Sequence, residues 1–243
     1  SLAGVGDVNN DKIDDLLIGV PQGAKGQGQS FVIFGVEGFK LSQGKFPTVI
    51  SLKQGIPDHS FVFNGGIAQG LAGTAIAKGF DLNGDSIGDM LLSAPLASQV
   101  YVGFGKPWLK KEGSVRLDNL ANDNGIIISR YEGSEPKYLF DGSVVTNLGD
   151  INGDGYDDVA VGGNGESLVI QFGGSTWNLI DSGPGVGQLS VFLKKDLITD
   201  INFESVEAIG DINNDNFDDF IIYNSRSKIK AVHDFTVVYG GEY

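Results

Sequence analysis

Four short runs of nearly continuous apolar residues punctuate the chain: DLLIGV (15–20), DMLLSA (89–94), DVAVGG (158–163) and DFIIYN (219–224). Uniform apolarity over so few residues predicts strands covered on both faces, whereas alternation would predict strands with one wet face. After a turn, each run is followed by a β-rich segment ending in an aromatic residue and glycine: SFVIFG (30–35), QVYVGFG (99–105), LVIQFG (168–173) and FTVVYG (235–240). Small-residue segments precede the apolar runs, as in GTAIAKG (73–79) and GSVVTNLG (142–149), and read as first strands. A fourth run follows in three places: FVFNGG (61–66), IIISRYEG (126–133) and, less regular, LSVFL (189–193). The pattern predicts units of four antiparallel strands and no long helix.

Between the first and second strand of each unit lies an acidic stretch: DVNNDKIDD (7–15), DLNGDSIGD (81–89), DINGDGYDD (150–158) and DINNDNFDD (211–219). All four fit D-x-N-x-D-x-x-x-D without a gap. A third marker follows the loops, GVP (19–21), SAP (93–95) and VGG (161–163), degenerating to YNS (223–225). Self-similarity at such a period identifies a repeat architecture. The units run approximately 1–66, 67–133, 134–193 and 194–243, within a single domain spanning 1–243. Antiparallel blades that each pack against two neighbours are the β-propeller arrangement, and a β-sandwich is the alternative for many short strands.

The chain has 243 residues, 41% of them hydrophobic, with 37 glycines that suit many tight turns. No stretch is apolar enough over a bilayer's thickness to predict a spanning helix. The formal charge of −14 argues against nucleic acid, whose phosphates require a basic surface. The aspartates at positions 1, 5 and 9 of the loops supply twelve of these negative charges. Four divalent cations would return the balance to about −6, ordinary for a soluble domain. Absence of cysteine removes disulfides and thiolate metal sites.

Aromatic-Gly and Gly-Ala-Pro markers bracketing a D-x-N-x-D-x-x-x-D loop resemble the FG-GAP repeat, the unit of the integrin α-subunit propeller and of bacterial integrin-like surface proteins. The resemblance covers essentially the whole chain, in four copies. It departs from the family in the lost GAP element of the fourth copy and in having four units where the integrin ring implies seven. It implies an all-β propeller of four-stranded antiparallel blades, calcium in the loops, an extracellular or cell-surface location and an adhesion or binding role. Its ligands would be extracellular proteins or carbohydrates, with no nucleic acid and no membrane insertion in this segment.

The residues support a hard cation on their own account. Calcium takes six to eight oxygens, and residues 1, 3 and 5 of a tight loop can turn side-chain oxygens inward. Position 7 can add a backbone carbonyl and position 9 a closing carboxylate. The candidate ligands are Asp7, Asn9, Asp11, Ile13 and Asp15; Asp81, Asn83, Asp85, Ile87 and Asp89; Asp150, Asn152, Asp154, Tyr156 and Asp158; and Asp211, Asn213, Asp215, Phe217 and Asp219. The family's calcium loops imply the same positions, for up to four Ca2+. An EF-hand is excluded, since position 12 would be Ile18, Leu92, Val161 or Ile222, all in apolar runs, where that loop needs glutamate. Magnesium ranks second, and metal-free Asx-turns are the alternative. Asp14, Asp157 and Asp218, which precede the closing ligand, are expected to add field or to solvate the rim.

No catalytic residue is predicted. His59 and His233 occupy non-equivalent places, and the glycine stretches at 23–29 and 162–166 match no phosphate-binding loop. Trp108 and Trp177 fall at equivalent places and read as packing, while Lys110, Lys111, Lys194 and Lys195 read as solvated. Opposite the acidic loops, the connections 21–28, 64–73, 132–142 and 224–230 share one end of the blades. Tyr131, Lys137, Tyr138, Phe140 and Arg226 are the candidates there for ligand contact. The other readings are a structural repeat of a large surface protein, a propeller-based hydrolase and a lectin.

The first residues read as the interior of a repeat, and the fourth unit has material for only three strands. We therefore expect about fifteen strands and a consecutive piece of a larger propeller, with remaining blades on other residues or a partner chain. A closed four-bladed ring is the alternative. Packing of strand 15–20 against strand 219–223 distinguishes the two.

Overall fold

The computed structural model describes residues 1–37, 59–107, 109, 113–120, 124–129, 142–163, 167–175, 190–194, 201–226 and 232–242. It is an all-β propeller architecture of successive antiparallel sheets. In the first unit, β1 (Leu2–Gly6), β2 (Asp15–Val20), β3 (Gln29–Ile33) and β4 (Ser60–Asn64) lie side by side in that order. The second unit has β5 (Met90–Ala94), β6 (Gln99–Gly103) and β8 (Gly125–Ser129), while β7 (Ser114–Arg116) joins the first sheet. The third is β9 (Val144–Gly149), β10 (Asp158–Gly163), β11 (Ser167–Gln171) and β12 (Ser190–Lys194). The fourth has three strands, β13 (Ile201–Gly210), β14 (Asp219–Arg226) and β15 (Val232–Val238).

Fifteen strands are thus present among the described residues, yet they are not all the expected ones. GTAIAKG forms no regular first strand; it meets β5 through an isolated bridge, Ile76 to Leu92, and through the Gly73 N–H to Ser93 O and Ala75 N–H to Ser93 Oγ bonds, with a second bridge, Phe80 to Asp89, just beyond. The segment also approaches the first blade closely. A Cβ on Gly19 would lie 2.1 Å from the Gly73 carbonyl oxygen, and Gly79 donates to Gly4 O at 3.0 Å. The unforeseen β7 pairs in parallel with β4, Val62 opposite Ser114, and so covers an outer edge that would otherwise be unpaired.

The apolar runs are uniform because each feeds two cores. Leu92 and Met90 pack with Leu17, Phe34 and Phe61 of the first unit, while Leu91 faces Val159, Val161 and Val169 of the third. Ala160, on the opposite face of β10, packs with Phe220 and Ile222 of the fourth. Every residue of β5 and β10 is buried, whereas β2 alternates, with Leu16, Ile18 and Val20 only half-buried. Three junctions therefore carry three cores. Among the described residues no strand of the first unit packs extensively against one of the fourth, so the closed four-bladed alternative finds no junction between 15–20 and 219–223.

One hydrogen-bond scheme recurs at all three junctions. The position-8 N–H of each later loop donates to the position-1 carbonyl of the earlier one: Gly88 to Asp7 at 2.9 Å, Asp157 to Asp81 at 3.1 Å, Asp218 to Asp150 at 2.9 Å. The N–H just after each aromatic-Gly marker donates to the position-2 carbonyl: Lys106 to Val8, Gly174 to Leu82, Gly241 to Ile151. Two position-8 carboxylates close the clasp, accepting the Asp81 N–H on Asp157 Oδ2 at 2.8 Å and the Asp150 N–H on Asp218 Oδ2 at 3.0 Å. These acids bind the neighbouring blade, in place of the rim role expected for them. Gly88 lacks the carboxylate because a Cβ there would sit 2.5 Å from Val5 O.

Gly149, at φ +78°, makes room for one clasp: a Cβ would lie 2.0 Å from Asp218 Oδ2. Gly149→Ala should lower stability by at least about 1–2 kcal/mol from the left-handed backbone alone. Introducing it into Asp218→Ala should do less damage, because the carboxylate collision is gone, leaving a tight 3.1 Å contact with the Cβ of residue 218 and the backbone strain. Urea midpoints of the two singles and the double measure this coupling; additive effects would show that the clasp does not depend on the glycine.

Candidate metal centre

Each acidic loop is folded by its own side chains. The position-1 carboxylate accepts successive backbone N–H groups: Asp7 from Asn9, Asp11 and Lys12, Asp81 from Gly84, Asp85 and Ser86, Asp150 from Gly153, Asp154 and Gly155. Asp211 accepts from Asp215 and Asn216 in the same way. The position-5 carboxylate accepts the position-7 N–H in every copy, at 2.9–3.0 Å. Positions 4 and 6 are left-handed throughout, which suits Gly84, Gly153 and Gly155 but holds Lys12 (φ 69°) and Ser86 (φ 63°) in a strained region. The N–H of that strained residue is the one that position 1 grips most closely in the first loop.

The ninth aspartate is buried: Asp89, Asp158 and Asp219 are fully enclosed and Asp15 nearly so. One of its oxygens accepts the position-2 N–H, from Val8, Leu82, Ile151 and Ile212, at 2.9–3.0 Å. The other accepts the glycine N–H of the aromatic-Gly marker, from Gly35, Gly105, Gly173 and Gly240, at 2.8–3.0 Å. This explains the glycine. A Cβ would meet the position-8 carbonyl oxygen at 2.1–2.5 Å in all four copies. The residue expected as a closing ligand is therefore also the tie between loop and third strand.

Enclosure sets the electrostatics. Burial raises the Asp158 carboxyl to about 7 and that of Asp15 to about 6, against the opposing pull of the two backbone N–H groups. Asp89 is pushed well above the ordinary range for the same reason, with Asp85 and Asp81 adding repulsion. Asp157 is raised too, first by burial, then by the charges of Asp81, Asp218 and Asp150.

The donor set is all oxygen, which is the chemistry a hard divalent cation requires. In the first loop Asn9 Oδ1 is buried without a hydrogen-bond partner, while its Nδ2 donates to Asp15. An acceptor left unpaired there suits a cation. The second, third and fourth loops differ: Asn83, Asn152 and Asn213 accept the position-5 N–H on Oδ1 and donate through Nδ2 to the position-5 carboxylate. A cation there would have to displace that amide. Among the described residues no three acidic or histidine side chains converge into a preformed cage. The residues fit calcium by chemistry, and Asn9 is the position readied for it.

Of the other candidates, His59 is exposed at a turn before β4, and His233 lies in β15. Arg226 ends β14, opposite Val232. Trp108, Trp177, Lys110, Lys111, Lys195, Tyr131, Lys137, Tyr138 and Phe140 lie outside the described residues.

The FG-GAP repeat family matches residues 1–33 and 142–192. Integrin alpha-PS5 of Drosophila melanogaster is 30% identical over 122 residues, half of this chain but only 11% of that protein. The family match thus falls on parts of the first and third units, while the loops of the second and fourth hold the same hydrogen bonds.

Without metal, the buried carboxylates give pH a definite sign. The folded-state value of Asp158, about 7, exceeds the 3.8 of an unfolded aspartate. Its contribution is fully present below about pH 3.8 and is lost as pH rises through about 7. In chelator, Asp158→Asn should flatten the pH dependence of unfolding between these limits, read by denaturant midpoints across pH. A slope unchanged by the substitution would remove Asp158 as its source.

Proposed function

On the premise that the chain carries FG-GAP repeats, we propose that it is a calcium-stabilised propeller module of an extracellular or cell-surface protein, binding a protein or carbohydrate ligand in an adhesion role. The observation that carries the reading is the fourfold all-oxygen loop, with Asn9 Oδ1 buried and unpaired in the first copy. Positions 1, 3, 5 and 9 would hold Ca2+ through side chains, and Ile13, Ile87, Tyr156 and Phe217 through backbone carbonyls. The ion would supply charge compensation and fix the loop; it takes no part in chemistry, and no enzymatic role is proposed.

The opposite end of the blades is the proposed ligand face. There the first two units are bonded together, Leu71 donating to Gly26 and Ala72 to Gln27, so the connections 21–28 and 64–73 form one surface. Ile67 and Leu96 stand exposed on it at 39% and 70%. A rigid scaffold with variable loops at one end is the usual seat of recognition. The similarity to an integrin α subunit supports this role.

Calcium binding to the folded state alone stabilises it by about 2.7 kcal/mol per site at a hundredfold excess over Kd. Melting should therefore fall in chelator and recover in millimolar calcium. Asp85→Ala is the clean single-site variant: it loses one ion of the set and exposes little. Asp89→Ala would confound the test by stranding the buried Leu82 and Gly105 N–H groups. Calcium affinity should also rise from pH 5 to 8, as protons leave Asp158. Coincident melting curves in chelator and calcium would defeat the proposal.

A further inference from the structure

Position 4 of two acidic loops is set by the neighbouring blade. In the second and third loops it is glycine, and the aromatic at position 7 of the next loop lies over it. A Cβ on Gly84 would stand 2.3 Å from Tyr156 Cε1, and one on Gly153 2.6 Å from Phe217 Cε1. Both glycines are also left-handed, at φ +74° and +76°. Position 3 is asparagine throughout, so this packing leaves an Asn-Gly pair in each of the two loops, Asn83-Gly84 and Asn152-Gly153. In the first and fourth loops the residue after that asparagine is Asn10 or Asn214.

An Asn-Gly pair can convert its own side chain with water as the only co-reactant. The glycine nitrogen bonds to the asparagine Cγ and the Cγ–Nδ2 bond breaks. Nδ2 leaves as ammonia, taking the proton that the glycine nitrogen gives up. One water then opens the cyclic imide at either carbonyl, to aspartate or to isoaspartate. Glycine favours the ring closure because no Cβ hinders the approach and its backbone turns freely. Asn83 and Asn152 are half-buried and Gly84 and Gly153 exposed, so water reaches both pairs.

The folded loop holds the reacting groups in other bonds. The Gly84 N–H donates to Asp81 Oδ1 and the Gly153 N–H to Asp150 Oδ1, each at 2.7 Å. Asn83 Oδ1 accepts the Asp85 N–H at 2.9 Å, and its Nδ2 donates to Asp85 Oδ2 at 3.3 Å. Asn152 is held by Asp154 in the same two ways, at 3.0 Å each. For the nitrogen to lose its proton and swing onto Cγ, the loop must release these bonds.

We propose that Asn83 and Asn152 are latent sites of deamidation, and that Asp81 and Asp150 set its rate by holding the attacking nitrogen. The change is one-way. It replaces the Nδ2 donor with a carboxylate oxygen facing the position-5 carboxylate, so an attraction becomes a repulsion. Opening to isoaspartate also puts an extra methylene into the backbone just ahead of the glycine, which shifts that glycine from beneath Tyr156 or Phe217. The modification thereby reaches the junction with the next blade. Asn64-Gly65 stands in a different setting: Gly65 is buried just after β4 and its N–H donates to Gly28 O at 2.9 Å. Its rate reports on opening of the blade instead of the loop.

Peptide mass spectrometry tests this, reading the deamidated fraction at each pair over time at mildly alkaline pH. Chelator throughout keeps the outcome independent of calcium. Asp81→Ala should speed Asn83 about tenfold or more, the factor implied by loss of one hydrogen bond to a charged acceptor. Asn152 and Asn64 should keep their wild-type rates in that variant, and Asp150→Ala should speed Asn152 alone. In the wild type both loop sites should react at least about tenfold more slowly folded than in denaturing urea, a comparison that requires no variant to fold. Asn83 unmoved by Asp81→Ala, Asn152 and Asn64 accelerating along with it, or equal rates in the folded and unfolded wild type would each overturn the proposal.

Discussion

The fold depends on one buried carboxylate per blade. The ninth aspartate of each loop is withdrawn from water and holds two backbone N–H groups, one from its own loop and one from the glycine 15–21 residues onward. In the second and third units either N–H, if deprived of its acceptor, would be a buried orphan costing about 1–3 kcal/mol. The aspartate thereby fixes where β2, β5, β10 and β14 begin and where the third strand of each blade ends. That placement in turn aims the position-8 backbone at the previous blade. Loop, strand order and junction are consequences of the same contact.

Much of this was legible in the sequence. The apolar runs at 89–94 and 158–163 announced strands with two covered faces, because a blade between two neighbours has no wet side. Other features could not be read along the chain. The close approach of Gly19 to Gly73 is one such feature, a fact of three dimensions. The pairing of β7 with β4 likewise depends on where an excursion from the second blade lands.

The acidic loops were legible as a repeated all-oxygen pattern but not as clasps. Spacing marked positions 1, 3, 5 and 9 because their chemistry repeats within nine residues. It could not reveal that the glycine of the aromatic-Gly marker donates to position 9, since that bond spans the length of two strands. The junction role of Asp157 and Asp218 was hidden for a related reason. Their partners are backbone groups of a neighbouring unit, some 68–76 residues earlier, which leave no local signature.

On the proposed calcium reading, the carboxylate that orders the blade would also receive the cation. Backbone N–H donors favour its ionised form, but burial outweighs them and lifts Asp158 to about 7. Two further carboxylates stand in the same loop, and unit charges about 5 Å apart repel by roughly 3 kcal/mol at an effective dielectric constant near 20. Nothing basic in the loops offsets this, apart from Lys12 at the rim of the first. A divalent ion would relieve both desolvation and repulsion without disturbing the backbone bonds, because each carboxylate oxygen has a second lone pair to offer. Left-handed Lys12 and Ser86 would then be held by a loop drawn in from both sides, by N–H donors outside and by the ion within.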